Sequence, residues 1–192
     1  FDIKNLLFLE TIMLNLVLEW IKLPRRMTMK ELYIKQKVFS IGEKFTVTDE
    51  HQNDVYYVEG SFFQIPKTFS IMNENRGEVA LITKKVFSFL PKFFVEVQGK
   101  EILTITKELS FFKARYTIDA EGIEVQGNWW DMDFEVYKQG QLVGQVNKEW
   151  FTWGDTYKVQ IFDEAMETIV IAVVVAIDCV KSDEAAASSA AT

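Results

Sequence analysis

The chain has few side chains of the types that catalyse reactions or bind metals. His51 is its only histidine and Cys179 its only cysteine. These two residues cannot form a zinc site of the usual Cys/His kind, and a Ser-His-Asp arrangement would have to use His51. His51 lies in a polar stretch, where we expect a solvated loop residue rather than a general base. We therefore predict no catalytic residue, no metal site and no cofactor.

An acidic pair is a second candidate for chemistry. Asp131 and Asp133 flank Met132, directly after Trp129 and Trp130. Two carboxylates at strand spacing share one face, where they could hold a cation or act as acid and base. A solvated turn explains the same pattern, and we favour the turn. A hydrolase is accordingly the least supported of the function classes.

Basic and aromatic residues are interleaved in two segments of the chain. The candidate lipid-binding cations are Lys84, Lys85, Lys107 and Arg115. Four phenylalanines stand close to them in the sequence: Phe87, Phe89, Phe111 and Phe112. Such a patch suits anionic lipid headgroups, although solubilising charge on outward strand positions explains the same residues. The net charge of -7 argues against broad nucleic-acid binding.

The composition indicates one globular domain of ordinary size. Of the 192 residues, 48% are apolar, and sixteen Phe and five Trp can fill a large core. A single cysteine cannot form an internal disulfide, and we predict that Cys179 is a small buried apolar residue. Nothing in the sequence requires an oxidising compartment, so we expect a cytoplasmic protein, with peripheral placement at the inner membrane surface as a further expectation.

Residues 1–28 differ from the rest and are predicted to form an amphipathic leader. On a helix, Lys4 and Glu19 fall on a polar face, and apolar residues cover most of the remainder. Such a helix could lie on a membrane surface or pack on a partner. The alternative is that the natural start is Met27 or Met29 and that the preceding residues are upstream read-through. Both interpretations stay open.

An internal repeat predicts the architecture. Residues 93–118 align without gaps on residues 134–159, at a shift of 41 residues. Each copy reads as a strand, a glycine turn, a second strand, a Lys-Glu step, an aromatic cluster and a third strand. Two varied copies are too few for a solenoid or a propeller. A closed antiparallel β-barrel fits better, because closure removes the exposed edge strands.

Residues 167–180 are apolar on every side at helical spacing. A helix of this kind must be buried in protein or in lipid. Its uncharged core, 168–177, is about half of the roughly 20 residues that a membrane span needs, and acids flank it. Asp163 is a suitable N-cap. We therefore predict a central helix at 163–180 within a barrel domain at 29–181, no transmembrane span, and a flexible tail at 182–192.

Five segments taken in order carry a family resemblance: 32–39, 56–60, 82–87, 150–153 and the closing helix at 163–180. With them, residues 29–181 resemble the LURP-one-related proteins, and specifically their bacterial YxjI-like branch. No single segment is highly specific. Their order over nearly the whole domain makes the resemblance strong.

The resemblance implies a mainly β, tubby-like fold, in which a closed antiparallel barrel of about twelve strands is threaded by a hydrophobic C-terminal α-helix. The superfamily includes phosphoinositide-binding tubby proteins and phospholipid scramblases, so it also implies association with membrane lipid. No phosphoinositide-binding motif of tubby matches this chain residue by residue, and a shared fold does not transfer function. We expect a non-enzymatic barrel that binds membrane phospholipid or another anionic or hydrophobic ligand. The alternative is a protein-interaction or regulatory module that uses exposed aromatic residues such as Trp129 and Trp130.

Overall fold

The computed structural model describes residues 29–35, 44–61, 65–108, 115–120, 122–149 and 156–190. The predicted leader lies outside the described residues, and so do Phe111, Phe112 and the segment 150–153. Within the described parts of the chain, twelve strands precede one long helix.

In chain order the strands are β1 (Lys30–Lys35), β2 (Lys44–Asp49), β3 (Asp54–Gly60), β4 (Thr68–Asn73), β5 (Glu78–Lys84), β6 (Lys92–Val97), β7 (Lys100–Glu108), β8 (Arg115–Ala120), β9 (Ile123–Asn128), β10 (Asp133–Lys138), β11 (Gln141–Glu149) and β12 (Thr156–Ile161). Alternation of apolar residues produces these strands, because successive side chains point to opposite faces of a sheet. In β6, for example, Phe93, Val95 and Val97 are buried and the residues between them are half-buried.

The strands form a single antiparallel sheet that curls into a nearly closed barrel. Each strand pairs with its neighbour in the chain from β1 to β8 and from β9 to β12. The ladder between β1 and β12 joins these two halves, with Lys30 opposite Ile161. Among the described residues no ladder joins β8 to β9, and a seam remains there. The predicted twelve-stranded antiparallel barrel is confirmed.

The sequence repeat corresponds to a structural repeat of three strands. Strands β6, β7 and β8 stand in the same relation as β10, β11 and β12, at the shift of 41 residues. The register shifts after Val95 in one copy and after Val136 in the other. The turns match as well, because the two Gln-Gly pairs, 98–99 and 139–140, both have positive φ. The repeat therefore carries a three-stranded unit with its bulge and its turn.

The helix α1 (Glu167–Ala190) fills the barrel. Every residue from Val170 to Val180 is buried, and most are fully inaccessible to solvent. Several of these residues are β-branched and have low helix propensity in isolation. Burial of each branched side chain contributes about 1.5–3 kcal/mol, which outweighs a propensity penalty of about 0.5 kcal/mol per residue.

The helix begins as predicted but continues further than predicted. The Asp163 carboxylate accepts a hydrogen bond from the Ala165 backbone N–H at 3.0 Å and caps a short 3-10 helix, Glu164–Met166, that leads into α1. The sequence predicts an end at Val180 with a flexible tail after it, yet the described helix runs to Ala190. Alanine has the highest helix propensity, and residues 183 and 184 form ion pairs with strands of the barrel, so the helix persists.

Alternating strand directions give the barrel two different ends. The turn end carries the short connections at 50–53, 74–77, 98–99 and 139–140, together with the start of α1. The loop end carries the connections from β3 to β4 and from β5 to β6, and α1 leaves the barrel there after Val180. Within the described parts of the chain, none of the helices has the length and apolar character that a membrane crossing requires.

Candidate membrane-binding surface

The connection from β5 to β6 displays two phenylalanines in solvent. Phe87 and Phe89 are fully and nine-tenths exposed, at 102% and 90%, whereas Phe93 at the start of β6 is 1% exposed. The backbone of Phe87 has a φ of 55°, a left-handed conformation that bulky residues rarely adopt. Exposed rings contribute nothing to the core, so the fold alone does not account for these two side chains.

Lysines flank the exposed rings in the connection and at the adjoining strand ends. Lys84 ends β5, the exposed Lys85 follows it, and Lys92 begins β6 with its ammonium 5.2 Å from the centre of the Phe94 ring. The backbone closes this connection tightly, since the Lys85 N–H donates to the Lys92 carbonyl at 2.7 Å. We call the set of Lys84, Lys85, Phe87, Phe89 and Lys92 the Phe–Lys surface.

A second connection at the loop end adds to this surface. The Lys84 N–H donates to the Lys67 carbonyl at 2.9 Å, which places the connection from β3 to β4 directly beside the Phe–Lys surface. Ile65 in that connection is 84% exposed. The Lys67 ammonium lies 5.0 Å from the centre of the Phe69 ring. Apolar and cationic groups therefore extend over two adjacent connections.

The end of α1 lies against two of the predicted lipid-binding cations. Lys84 Nζ is 2.6 Å from an Asp183 carboxylate oxygen, and Lys107 Nζ is 2.6 Å from a Glu184 carboxylate oxygen. All four side chains are between 18% and 33% exposed, so the two ion pairs are half-buried. The Lys107 N–H also donates to the Pro91 carbonyl at 2.9 Å, which joins β7 to the β5–β6 connection.

The other two predicted cations take different positions. Lys85 is exposed within the Phe–Lys surface. Arg115 begins β8 opposite Glu108, and its side chain lies outside the described residues. Three of the four predicted cations thus meet at the loop end through described contacts. Asp183 and Glu184 were missed because both fell in the predicted tail, and their lysine partners are distant in the chain.

The start of α1 is held at the turn end by a different set of groups. Lys30 Nζ donates to both Glu167 carboxylate oxygens, at 2.7 and 2.8 Å, and the Tyr56 hydroxyl donates to one of them at 2.9 Å. Tyr56 is 7% exposed, and its burial raises the pKa of the phenol well above the ordinary value of 10. The neighbouring Glu167 carboxylate raises the pKa further, which keeps the hydroxyl protonated as a donor.

The acidic pair named from the sequence lies at the loop end near α1. Asp131 accepts a hydrogen bond from the Asn128 side chain at 2.6 Å, and Asp133 accepts one from the Asn147 side chain at 2.8 Å. Both carboxylates are exposed and line a cavity of about 360 Å³ together with Lys148 and Lys181. Among the described residues, no three His, Cys, Asp or Glu side chains come together in a way that could hold a metal ion.

The aromatic pair suggested for protein contacts is less exposed than expected. Trp129 and Trp130 form a short 3-10 helix with Asp131, and both rings are half-buried against the core. The rings meet edge to face with their centres 5.6 Å apart. They act chiefly as packing side chains, so the expectation of exposed rings at these positions is wrong. His51 lies in the exposed turn between β2 and β3, and Cys179 is buried in α1, both as expected.

Comparison with known proteins agrees with this architecture. The chain is 30% identical over 152 residues to the uncharacterized protein YxjI of Bacillus subtilis, covering 79% of this chain and 94% of that protein. The X-ray structure of an Arabidopsis thaliana protein matches with a TM-score of 0.50 at 15% identity, covering 78% of this chain and 91% of the plant chain. That second likeness shows the fold. The family model described as LURP-one-related matches residues 30–178. The chain therefore belongs to the LURP-one-related family.

Proposed function

We propose that this chain is a non-enzymatic barrel that binds anionic phospholipid at a membrane surface through the Phe–Lys surface. The observation that carries the proposal is the near-complete exposure of Phe87 and Phe89 in a connection flanked by lysines. Large exposed apolar groups rimmed by charge are typical of surfaces that bind a membrane or another protein. The membrane-lipid association implied by the family resemblance supports the same proposal.

The chemistry of the Phe–Lys surface suits a bilayer interface. Burial of each phenylalanine ring among acyl chains contributes about 1.5–3 kcal/mol. Each lysine close to an anionic bilayer contributes about 1 kcal/mol. These contributions add to a weak, reversible association, as is usual for proteins that attach to membranes without a lipid anchor.

The charge distribution orients the protein on such a surface. The chain as a whole carries a formal charge of -7, so an anionic bilayer repels the protein unless a basic region faces it. Lys67, Lys85 and Lys92 belong to the two loop-end connections that carry the exposed apolar residues, or to the strand that follows. The proposed orientation therefore points the loop end at the bilayer and the turn end away from it. In a bacterial cell the proposed site of binding is the cytoplasmic surface of the inner membrane.

Liposome co-sedimentation tests the proposal. The full chain is mixed with vesicles of neutral phosphatidylcholine or of phosphatidylglycerol, at low and at high salt. We expect binding to the anionic vesicles, with weaker binding at high salt because the lysine charges are screened. The double variant Phe87→Ser/Phe89→Ser should lose about tenfold or more in affinity and keep its melting temperature, since both rings are exposed.

A matched pair of lysine variants locates the charge contribution. Lys85→Gln in the Phe–Lys surface should weaken binding about fivefold. Lys100→Gln removes another exposed lysine, at the turn end, and should leave binding unchanged. Equal effects of the two substitutions on vesicle binding would show that the Phe–Lys surface does not make the contact with lipid. Chains 29–192 and 1–192 tested side by side show whether the leader contributes.

The alternative is that the same apolar surface contacts a protein. Absence of vesicle binding by the full chain would favour this function, since exposed phenylalanines also serve protein interfaces. Light scattering across a range of concentrations then tests self-association. A concentration-dependent mass that Phe87→Ser/Phe89→Ser abolishes would support it.

A further inference from the structure

The last turns of α1 differ from the rest of the helix in how they are held. Residues 170–180 are buried inside the barrel, residues 181–184 are half-buried, and residues 185–189 are exposed. The described contacts of this final part include the ion pairs of Asp183 with Lys84 and of Glu184 with Lys107, and the Lys181 ammonium above the Tyr157 ring at 5.8 Å. This final part is therefore less deeply buried than residues 170–180.

The two acids neutralise lysines at the proposed membrane-binding surface. Lys84 belongs to the Phe–Lys surface, and Lys107 is joined to it through Pro91. A carboxylate at 2.6 Å occupies the position that a lipid phosphate oxygen would take on each ammonium. The same carboxylates lie at the end of the barrel that would face an anionic bilayer, which would repel them.

From these contacts we propose that residues 181–190 act as an internal competitor for anionic lipid. In the docked state Asp183 and Glu184 hold Lys84 and Lys107. In the released state the helix end swings away and both lysines contact lipid phosphates. This inference rests on the proposed function and names the regulation of that surface.

The two states are close enough in free energy for lipid to shift them. Half-exposed ion pairs of this kind contribute little to stability, and each lysine gains a comparable amount beside an anionic bilayer. A ligand shifts such an equilibrium only through its differential affinity for the two states, which here comes from the two lysine charges. Removal of the carboxylates should therefore raise the affinity for anionic vesicles by about threefold to tenfold.

The experiment compares two variants with the same change of net charge. Asp183→Asn/Glu184→Gln removes the competing acids, and Glu50→Gln/Glu74→Gln removes two exposed acids in turns at the opposite end. On phosphatidylglycerol vesicles the first variant should bind about threefold to tenfold tighter than the parent, and the second should stay within about twofold. Equal tightening by both would show a general charge effect and overturn the proposal.

Hydrogen exchange of the full chain supplies a second readout. Added phosphatidylglycerol vesicles should speed amide exchange in residues 181–190 and leave residues 170–180 protected. If amide exchange at 181–190 is unchanged in vesicle-bound protein, residues 181–190 do not act as a competitor, even if the protein binds lipid through Phe87 and Phe89. If no form of the chain binds anionic vesicles, the proposed function itself fails, and this inference fails with it.

Discussion

The central helix is held in two different ways at its two ends. At the turn end, Glu167 is bonded to Lys30 and to the buried Tyr56, and Gly144 of β11 lies so close to Val170 that no β-carbon would fit between them. At the loop end, Asp183 and Glu184 meet their lysines in half-exposed ion pairs. At the first end, close packing and a hydrogen bond from the buried Tyr56 reinforce an ion pair whose lysine is partly exposed. At the second end, the described ion pairs are ones that water and salt can weaken.

The groups at the helix start therefore contribute more to the stability of the fold than the ion pairs at the helix exit. Close packing at the helix start is sensitive to a single carbon atom, because protein interiors are packed as densely as organic crystals. Partly exposed ion pairs tolerate exchange with solvent ions or other anions. Substitutions along the helix should therefore cost most where it is buried in the barrel and least where it leaves.

The largest effect is expected from a charge placed in the middle of the helix. Val174 is fully buried, so Val174→Asp would bury a carboxylate without a partner and should unfold the domain. Ala187→Asp places the same residue on the exposed part of the same helix and should leave the melting temperature nearly unchanged. A soluble Val174→Asp protein with a cooperative thermal transition would contradict the central position of this helix.

Contact between the helix start and the barrel wall can be tested by adding one carbon. A β-carbon at residue 144 would lie 2.7 Å from a Val170 methyl group, so Gly144→Ala should lower the free energy of unfolding by about 1–3 kcal/mol. Val170→Ala removes the obstructing methyl groups. Urea denaturation of both single variants and the double variant should show a favourable coupling of about 1 kcal/mol or more. Strict additivity would mean that the two residues are not in close contact.

The buried phenol at the turn end should give a pH-dependent effect. Tyr56→Phe removes the hydrogen bond to Glu167 and should cost about 1–2 kcal/mol at pH 7. Because the folded-state pKa of Tyr56 is raised, its contribution is fully present below the unfolded pKa of 10 and is lost as the pH rises beyond it. The stability gap between parent and variant should therefore narrow above pH 10. If urea denaturation shows the same stability difference between parent and variant up to pH 11, the pKa of Tyr56 is not raised in the folded protein.

The smallest effect on stability is expected at the helix exit. Asp183→Asn/Glu184→Gln removes two half-exposed ion pairs and should lower the free energy of unfolding by no more than about 1 kcal/mol. Salt at 1 M should remove most of that difference, because screening weakens the pairs in the parent. A loss of more than about 2 kcal/mol in the free energy of unfolding would mean that the helix exit stabilises the fold as strongly as the helix start does.

Much of the barrel wall was predictable because the chain repeats itself. The shift of 41 residues relates three strands, a bulge and a left-handed Gln-Gly turn in each copy, since the same local pattern imposes the same local geometry. The start of the helix was also predictable, because the Asp163 cap acts within a few residues.

The helix exit and the Phe–Lys surface were harder to predict because their partners are distant in the chain. Asp183 lies 99 residues from Lys84, and Glu184 lies 77 from Lys107, so no local pattern links them. Trp129 and Trp130 pack on the core through a left-handed residue at Met132 with a φ of 59°, which hydrophobicity does not reveal. Phe87 and Phe93 are the same residue type with opposite exposure, and only the completed strand ends distinguish them.

The position of the helix after all twelve strands has a consequence for biosynthesis. The barrel wall needs the ladder between β1 and β12, whose paired residues Lys30 and Ile161 lie about 130 positions apart, and contacts of such long range form slowly. The residues that fill the barrel emerge from the ribosome after the complete wall. Until residues 167–180 have been synthesised, the inward faces of the strands have no core to pack against, and they resemble the exposed surfaces on which chaperones act. The 24 residues of α1 therefore make closure of the domain a late event in its synthesis.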